Sequence, residues 1–301
     1  MTELRSDPLL SPELAARIAA LEIEARVAAE GALAGLHRSP RRGSSVEFAE
    51  HKEYAPGDEL RHVDWKTYGR SDRLYVKRYE EETELHVLLI VDGSESMRYG
   101  EGATDKLRYA SVIAAALAHL LLGRRDRAGV VVTPGEVVPV GARPSHLRRL
   151  LGALASAEGL GAADLPGALG RADALCTRRS QIVVLSDLLD PVDEPTQAAA
   201  RSLKAQGHDP AFVQILHPDE LSLPFEELAW YESAEAKARV LADPRAVRAA
   251  YLEELAALQR RWTEGLSRAR IPFAALDSSI DPAKALASVL RGPLARARGA
   301  A

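Results

Sequence analysis

The run Leu85-His86-Val87-Leu88-Leu89-Ile90-Val91 is apolar but for one histidine, and it gives way at once to Asp92-Gly93-Ser94-Glu95-Ser96. A strand with one face in water alternates apolar and polar residues, whereas a strand covered on both faces reads as an unbroken apolar run. This segment is therefore expected inside a parallel sheet with helices above and below. A second run, Gln181-Ile182-Val183-Val184-Leu185-Ser186, ends in Asp187 in the same manner. Segments with helical spacing alternate with strand-like runs along the rest of the chain. The expectation is an α/β fold with a doubly wound, mainly parallel sheet, an N-terminal helix and a small β-containing extension.

Ser11-Pro12-Glu13 combines a capping hydroxyl, a proline at the first helical position and an early acid, so a helix starts there, with Gly31 or Gly35 expected to stop it. Residues 106–123 read as an apolar helix that covers a sheet. Residues 128–133 and 137–140, joined through Pro134-Gly135, read as an edge hairpin. Further helices are expected at 145–155, 166–175, 196–205, 244–270 and 282–290, and strands at 211–216 and 271–276. Short strands fall near 228–231 and 238–241. In the long helix 244–270, Val247, Tyr251, Leu255, Leu258, Trp262 and Leu266 form one apolar stripe, read as core with partner contact as the alternative. The organisation expected is residues 1–84 as a helix plus a segment packing on the main domain, and residues 85–301 as that main α/β domain with a helical extension.

Composition narrows the function classes. With 47% hydrophobic and 27% charged residues and a net charge of -4, the chain has the balance of an ordinary soluble protein and no electrostatic case for nucleic acid. Arg38, Arg41 and Arg42 form its basic cluster, which reads as solvated surface. The single cysteine, Cys176, has no internal disulfide partner, fits a reducing compartment and reads as core filler. Glu3 and Asp7 interrupt the start, unlike a secretory signal. The apolar stretch 110–122 contains His119 and falls short of the ~20 residues that cross a bilayer. A cytoplasmic protein without a membrane span is expected.

Asp92, Ser94 and Ser96 emerge just past the carboxyl end of their strand, where open α/β sheets bind ligands. One carboxylate and two hydroxyls at alternate positions offer oxygen alone, which suits Mg²⁺, or Mn²⁺ or Ca²⁺ in its place, better than zinc or copper. The competing reading is a cap for the helix that follows. Asp187 adds weight to the metal: if the hairpin extends one side of the first strand, the strand before Asp187 can lie on the other. The two acids then flank a topological switch point.

The run Asp92-Gly93-Ser94-Glu95-Ser96, together with the element order, resembles the first motif of the metal-ion-dependent adhesion site (MIDAS) of von Willebrand factor A domains. The resemblance implies Ser94 and Ser96 as cation contacts, Asp92 behind them and Asp187 completing the shell. The threonine of that site has no counterpart. In the loop Gly159-Leu160-Gly161-Ala162-Ala163-Asp164-Leu165 its place falls on Ala163, whose methyl group cannot coordinate, so a weakly held cation is implied unless Asp164 or water substitutes.

Upstream, the segment from Gly43 through Tyr54-Ala55-Pro56-Gly57-Asp58-Glu59-Leu60-Arg61-His62-Val63-Asp64-Trp65-Lys66, continued in Tyr75-Val76-Lys77-Arg78-Tyr79, resembles the signature of the family DUF58. That resemblance implies a segment placed before a von Willebrand factor A-like domain and an association with MoxR-type AAA+ ATPases. By residue chemistry alone, Tyr54 to Asp58 is a turn, and Asp58, Arg61 and Asp64 share one side of a short helical turn. Two readings stand: an internal clasp, or a polar partner-binding patch with Trp65 as anchor. His37, His51 and His62 are spaced too irregularly for zinc.

Three functions follow as expectations. The first is a non-enzymatic interaction module whose cation, held by Asp92, Ser94, Ser96 and Asp187, accepts a carboxylate from a partner protein, as an adaptor to a MoxR-type ATPase in protein assembly or remodelling. The second is a metal-dependent phosphohydrolase, against which stands Ser94 where a haloacid-dehalogenase-like enzyme has its second aspartate. The third is a scaffold with a degenerate site that binds no cation.

Overall fold

The computed structural model describes residues 11–37, 51–53, 68, 75–77 and 84–294, apart from 144, 177, 191–192 and 235–237. In chain order these form α1 (Pro12–His37), β1 (His51–Glu53), β2 (Tyr75–Lys77), β3 (His86–Asp92), α2 (Lys106–Gly123), β4 (Arg127–Thr133), β5 (Val137–Gly141), α3 (His146–Ala155) and α4 (Leu165–Leu175). There follow β6 (Gln181–Ser186), α5 (Glu194–Ala205), β7 (Asp209–Leu216), α6 (Pro218–Ser222), β8 (Ala229–Glu232), β9 (Arg239–Ala242), α7 (Pro244–Arg268), β10 (Phe273–Asp277) and α8 (Pro282–Arg291). Residues 1–38 and 85–301 make one compact unit and residues 39–84 a second. In the second, β1 and β2 pair antiparallel, with His51 opposite Lys77 and Glu53 opposite Tyr75.

The first unit is a mixed α/β fold around a six-stranded sheet of order β10-β7-β6-β3-β4-β5. Every neighbouring pair is parallel except β4–β5, the expected edge hairpin. Both apolar runs lie at the centre, and β3 and β6 are buried at every position. Alternation sorts their side chains. Val87, Leu89 and Val91 join the core formed with α1, α2, α3 and α8, whereas Leu88 and Ile90 join the one formed with α4, α5 and α7. Helices thus cover both faces, which is why neither strand shows a polar alternate position.

Helix α1 departs from expectation by running past both glycines to His37. Gly31 is a point of close approach: a Cβ there would lie 2.7 Å from the Cβ of Ala283 in α8. Ile18, Leu21, Ala25, Ala28, Ala29 and Ala32 are buried along the same helix. This packing outweighs the roughly 1 kcal/mol that a glycine costs inside a helix. The stripe on α7 also departs in part. Leu255, Leu258, Trp262 and Leu266 are buried, but Val247, nearer the start of the helix, is exposed.

Helix α2 is long and apolar enough by length and composition to cross a membrane, and 67% of it is buried inside the structure. There it lies against the sheet and α1. The short α6 was not expected. Its start is fixed by Pro218 and by a reciprocal cap in which the His217 side chain and the Glu220 side chain each accept from the other end of the turn.

Candidate functional site

Register places the first acid. Val91 of β3 pairs with Leu185 of β6 and Asp92 with Thr133 of β4, so Asp92 and Ser186 leave the sheet side by side. Both fall on the face turned to α4 and α7, and the Ser186 hydroxyl donates a short hydrogen bond to Asp92 Oδ2. The Ser94 N–H donates to Asp92 Oδ1 at 2.9 Å. The Ser94 and Ser96 hydroxyls then hydrogen-bond to each other, with their oxygens 3.0 Å apart.

The loop between α3 and α4 clamps this turn. Leu160 N–H donates to the Gly93 carbonyl at 3.1 Å, and Glu95 N–H donates to the Gly161 carbonyl at 2.8 Å. Gly159 and Gly161 hold left-handed backbone angles, φ +65 and +66, which only glycine adopts without strain. Ala163 is thereby carried to the cleft. Asp164, the candidate substitute for a threonine, is turned away: its carboxylate accepts from Gly167 N–H at 2.8 Å and caps α4.

The cleft at this rim encloses about 330 Å³ and is lined by Asp92, Ser96, Ala163, Asp187 and Trp262, with Ser233 and Ala234 from the β8–β9 connection. Asp187 follows Ser186 and so starts toward the opposite face, where α2 begins. There Lys106 Nζ donates to Asp187 Oδ2 at 2.8 Å and to Glu220 Oε1 at 2.6 Å. The Lys106 side chain is fully buried. Burial alone would lower its pKa, but the Asp187 and Glu220 charges outweigh that and raise it. Burial, and next the Asp187 charge, pushes Asp92 up from 3.8 to about 6, while the hydrogen bonds from Ser186 and Ser94 pull the other way.

The structure therefore gathers Asp92, Ser94 and Ser96 at one turn and brings Asp187 to the same cleft with one oxygen on Lys106. Asp58, Arg61, Asp64, Trp65 and His62 lie outside the described residues. His37 ends α1 and His51 opens β1. Among the described residues no group of three or more His, Cys, Asp or Glu side chains is gathered for a metal ion. A cation here would draw on the serine hydroxyls, on the Asp187 oxygen turned from Lys106 and on water. All the available donors are oxygen, which fits Mg²⁺ or Mn²⁺.

Sequence reasoning missed Lys106, Ser186 and Glu220. One signal was present. A lysine at the first position of a helix opposes the helix dipole, so its occurrence at the head of apolar α2 calls for a specific anionic partner.

The chain belongs to the family described as "Protein of unknown function DUF58", whose model matches residues 50–261. Uncharacterized proteins of Mycobacterium bovis and Mycobacterium tuberculosis are 29% identical to it over 229 residues, 73% of this chain and 70% of theirs. Two solved structures from Bacteroides are similar in part. The conserved hypothetical protein BatB of Bacteroides thetaiotaomicron has a TM-score of 0.44 and 14% identity, covering 69% of this chain and 97% of that one. An aerotolerance-related membrane protein of Bacteroides fragilis has a TM-score of 0.46 and 17% identity, covering 70% and 99%.

Proposed function

We propose that this chain is a non-catalytic protein-interaction module of von Willebrand factor A-like fold, with a metal-ion-dependent adhesion-like site at Asp92, Ser94, Ser96 and Asp187. The observation that carries the reading is the pair of serine oxygens 3.0 Å apart in front of a buried aspartate. In an octahedral shell with metal–oxygen distances of about 2.1 Å, adjacent oxygens lie about 3.0 Å apart, so the pair fits one edge of such a shell. A bound cation would also offset the cost of keeping Asp92 ionised where burial and Asp187 oppose it. Both Asp92 oxygens already accept hydrogen bonds, which suits a charge standing behind hydroxyl ligands better than a nucleophile.

The cation keeps a position open toward the cleft, and a partner protein fills it with a carboxylate. Ala163 adds no ligand, so affinity is weak. By the resemblance of the family signature, the partner is a MoxR-type AAA+ ATPase acting in the cytoplasm on protein assembly or remodelling. Calorimetric titration of the full chain with Mg²⁺ and Mn²⁺ tests the cation. Heat lost in Asp92→Ala is expected, and silence at millimolar metal would sink the reading. Capture of a purified MoxR-type ATPase, abolished by chelator, tests the partner.

A second reading has one observation in its favour. Asp187 already faces a cation of the protein's own, the Lys106 ammonium, as it would in a scaffold whose site holds no metal.

A further inference from the structure

Lys106 has no part in the interaction module proposed above, and its surroundings are unusual. A fully buried ammonium is costly unless charge and hydrogen bonds around it are matched. Here two carboxylates answer it, and they differ in kind. Asp187 lines the cation cleft, and its other oxygen accepts from Leu189 N–H at 3.4 Å. Glu220 belongs to α6 and is fixed twice over: its Oε2 accepts from His217 N–H at 2.7 Å, and its backbone carbonyl accepts from the Tyr251 hydroxyl at 2.8 Å. The ammonium is thus held between a ligand of the cleft and an anchor outside it.

We infer that Lys106 sets the affinity of this site, its ammonium acting as a tethered internal cation that shares Asp187 with the divalent ion, and that Glu220 sets how much of that positive charge Asp187 feels. The inference rests on the reading of the rim as a cation site. Its physical content is a sign. Two positive charges that share one carboxylate repel each other through a low-dielectric interior. Removing the lysine charge strengthens divalent binding, and removing the Glu220 charge, which leaves the ammonium to Asp187 alone, weakens it. A residue that only oriented Asp187 would give the opposite result for Lys106, since a freed carboxylate side chain would lose its aim.

The same arrangement gives a reason for the missing threonine to matter. With Ala163 supplying no oxygen and Asp187 already half neutralised, the metal depends on Asp92 and the two serines, and occupancy is set near the weak end. Glu220 ties that setting to α6, the element between β7 and the β8–β9 hairpin.

Purified full-length chain, stripped with chelator and dialysed, is titrated calorimetrically with Mg²⁺ and with Mn²⁺ beside Lys106→Met and Glu220→Gln, each checked for native circular dichroism. Lys106→Met is expected to bind at least about tenfold more tightly and Glu220→Gln at least about threefold more weakly. Opposite signs are the readout, because general loss of structure moves both variants the same way. Should Lys106→Met fail to fold, Glu220→Gln decides alone: weaker binding supports the inference, unchanged or tighter binding overturns it. A wild-type chain that binds, with a Lys106→Met variant no tighter, overturns the affinity-setting role and leaves the cation site standing. A silent wild type overturns the cation-site reading, and the inference that rests on it, whatever the variants do.

Discussion

Asp92 sits above its usual pKa of 3.8, at about 6, and the direction of that shift fixes how it acts on stability. The folded chain holds the Asp92 proton more tightly than the unfolded chain does. Between about pH 4 and pH 6 the native state therefore binds more protons, and stability in chelator falls as pH rises through that window and stays lower above it. A shift of about two units corresponds to a net cost on the order of 3 kcal/mol, which already includes the relief given by the hydrogen bonds from Ser94 and Ser186. We expect Asp92→Asn, in chelator, to unfold at higher urea than wild type at pH 7.5, by an equivalent of about 1–2 kcal/mol, with the advantage shrinking toward pH 4. A variant weaker than wild type at both pH values would mean that hydrogen bonding at this carboxylate outweighs its charge. Trp262 makes a second residue-scale case. Its Nε1–H donates to the Leu188 carbonyl at 3.1 Å, and Leu188 itself holds a left-handed φ of 51. Trp262→Phe keeps the ring against Phe212 but leaves that carbonyl unpaired, so a loss of about 1–3 kcal/mol is expected in chemical denaturation. An unchanged midpoint would show that water replaces the indole. Of the rim residues, Asp92, Ser94, Ser96 and Asp187 were legible because all follow apolar runs. Ser186 was not, since its role depends on which strand lies beside β3, and Lys106 was not, since its carboxylates arrive from 81 and 114 residues away.

Elements were legible where period and punctuation agreed. Helix α2 begins and ends where its apolar pattern does, and the β4–β5 hairpin brackets the Pro134-Gly135 turn. Helix α1 runs past the end its sequence suggests because a glycine carries two meanings, a stop or a close contact, and only the neighbour tells them apart. Gly31 against Ala283 is the second kind, which sets up a contest of signs. Gly31→Ala gains about 1 kcal/mol of helix propensity yet forces two packed helices apart, at a cost of about 1–3 kcal/mol. The clash is expected to win, lowering the melting temperature. Gly123→Ala, where an added Cβ meets nothing within 4 Å, is expected to leave it unchanged or raise it. Equal effects from the two substitutions would remove close packing as the reason α1 continues. The start of α7 shows the same dependence on the neighbour. Its stripe is continuous in sequence, but Val247 is exposed because the core ends before the helix does.

At the scale of the whole molecule, the cleft is assembled from parts that meet only in the native fold: the turn after β3, the end of β6, the loop between α3 and α4, and the β8–β9 connection. An unfolded chain offers Asp92 and Asp187 as separate carboxylates far apart along the backbone, with negligible affinity for Mg²⁺. A cation bound at the rim as proposed would therefore be coupled to folding as a unit, with stabilisation growing as RT ln(1 + [L]/Kd). At ten times Kd this amounts to about 1.4 kcal/mol, a few degrees of melting temperature in a unit of this size. A weakly held cation of the kind proposed should give a melting temperature that climbs through the millimolar range of Mg²⁺. The climb should be absent in Asp92→Ala and shifted to lower concentration in Lys106→Met. A rise of equal size in wild type and Asp92→Ala would be a salt effect on the surface charges, and would remove the rim as the place where the ion acts.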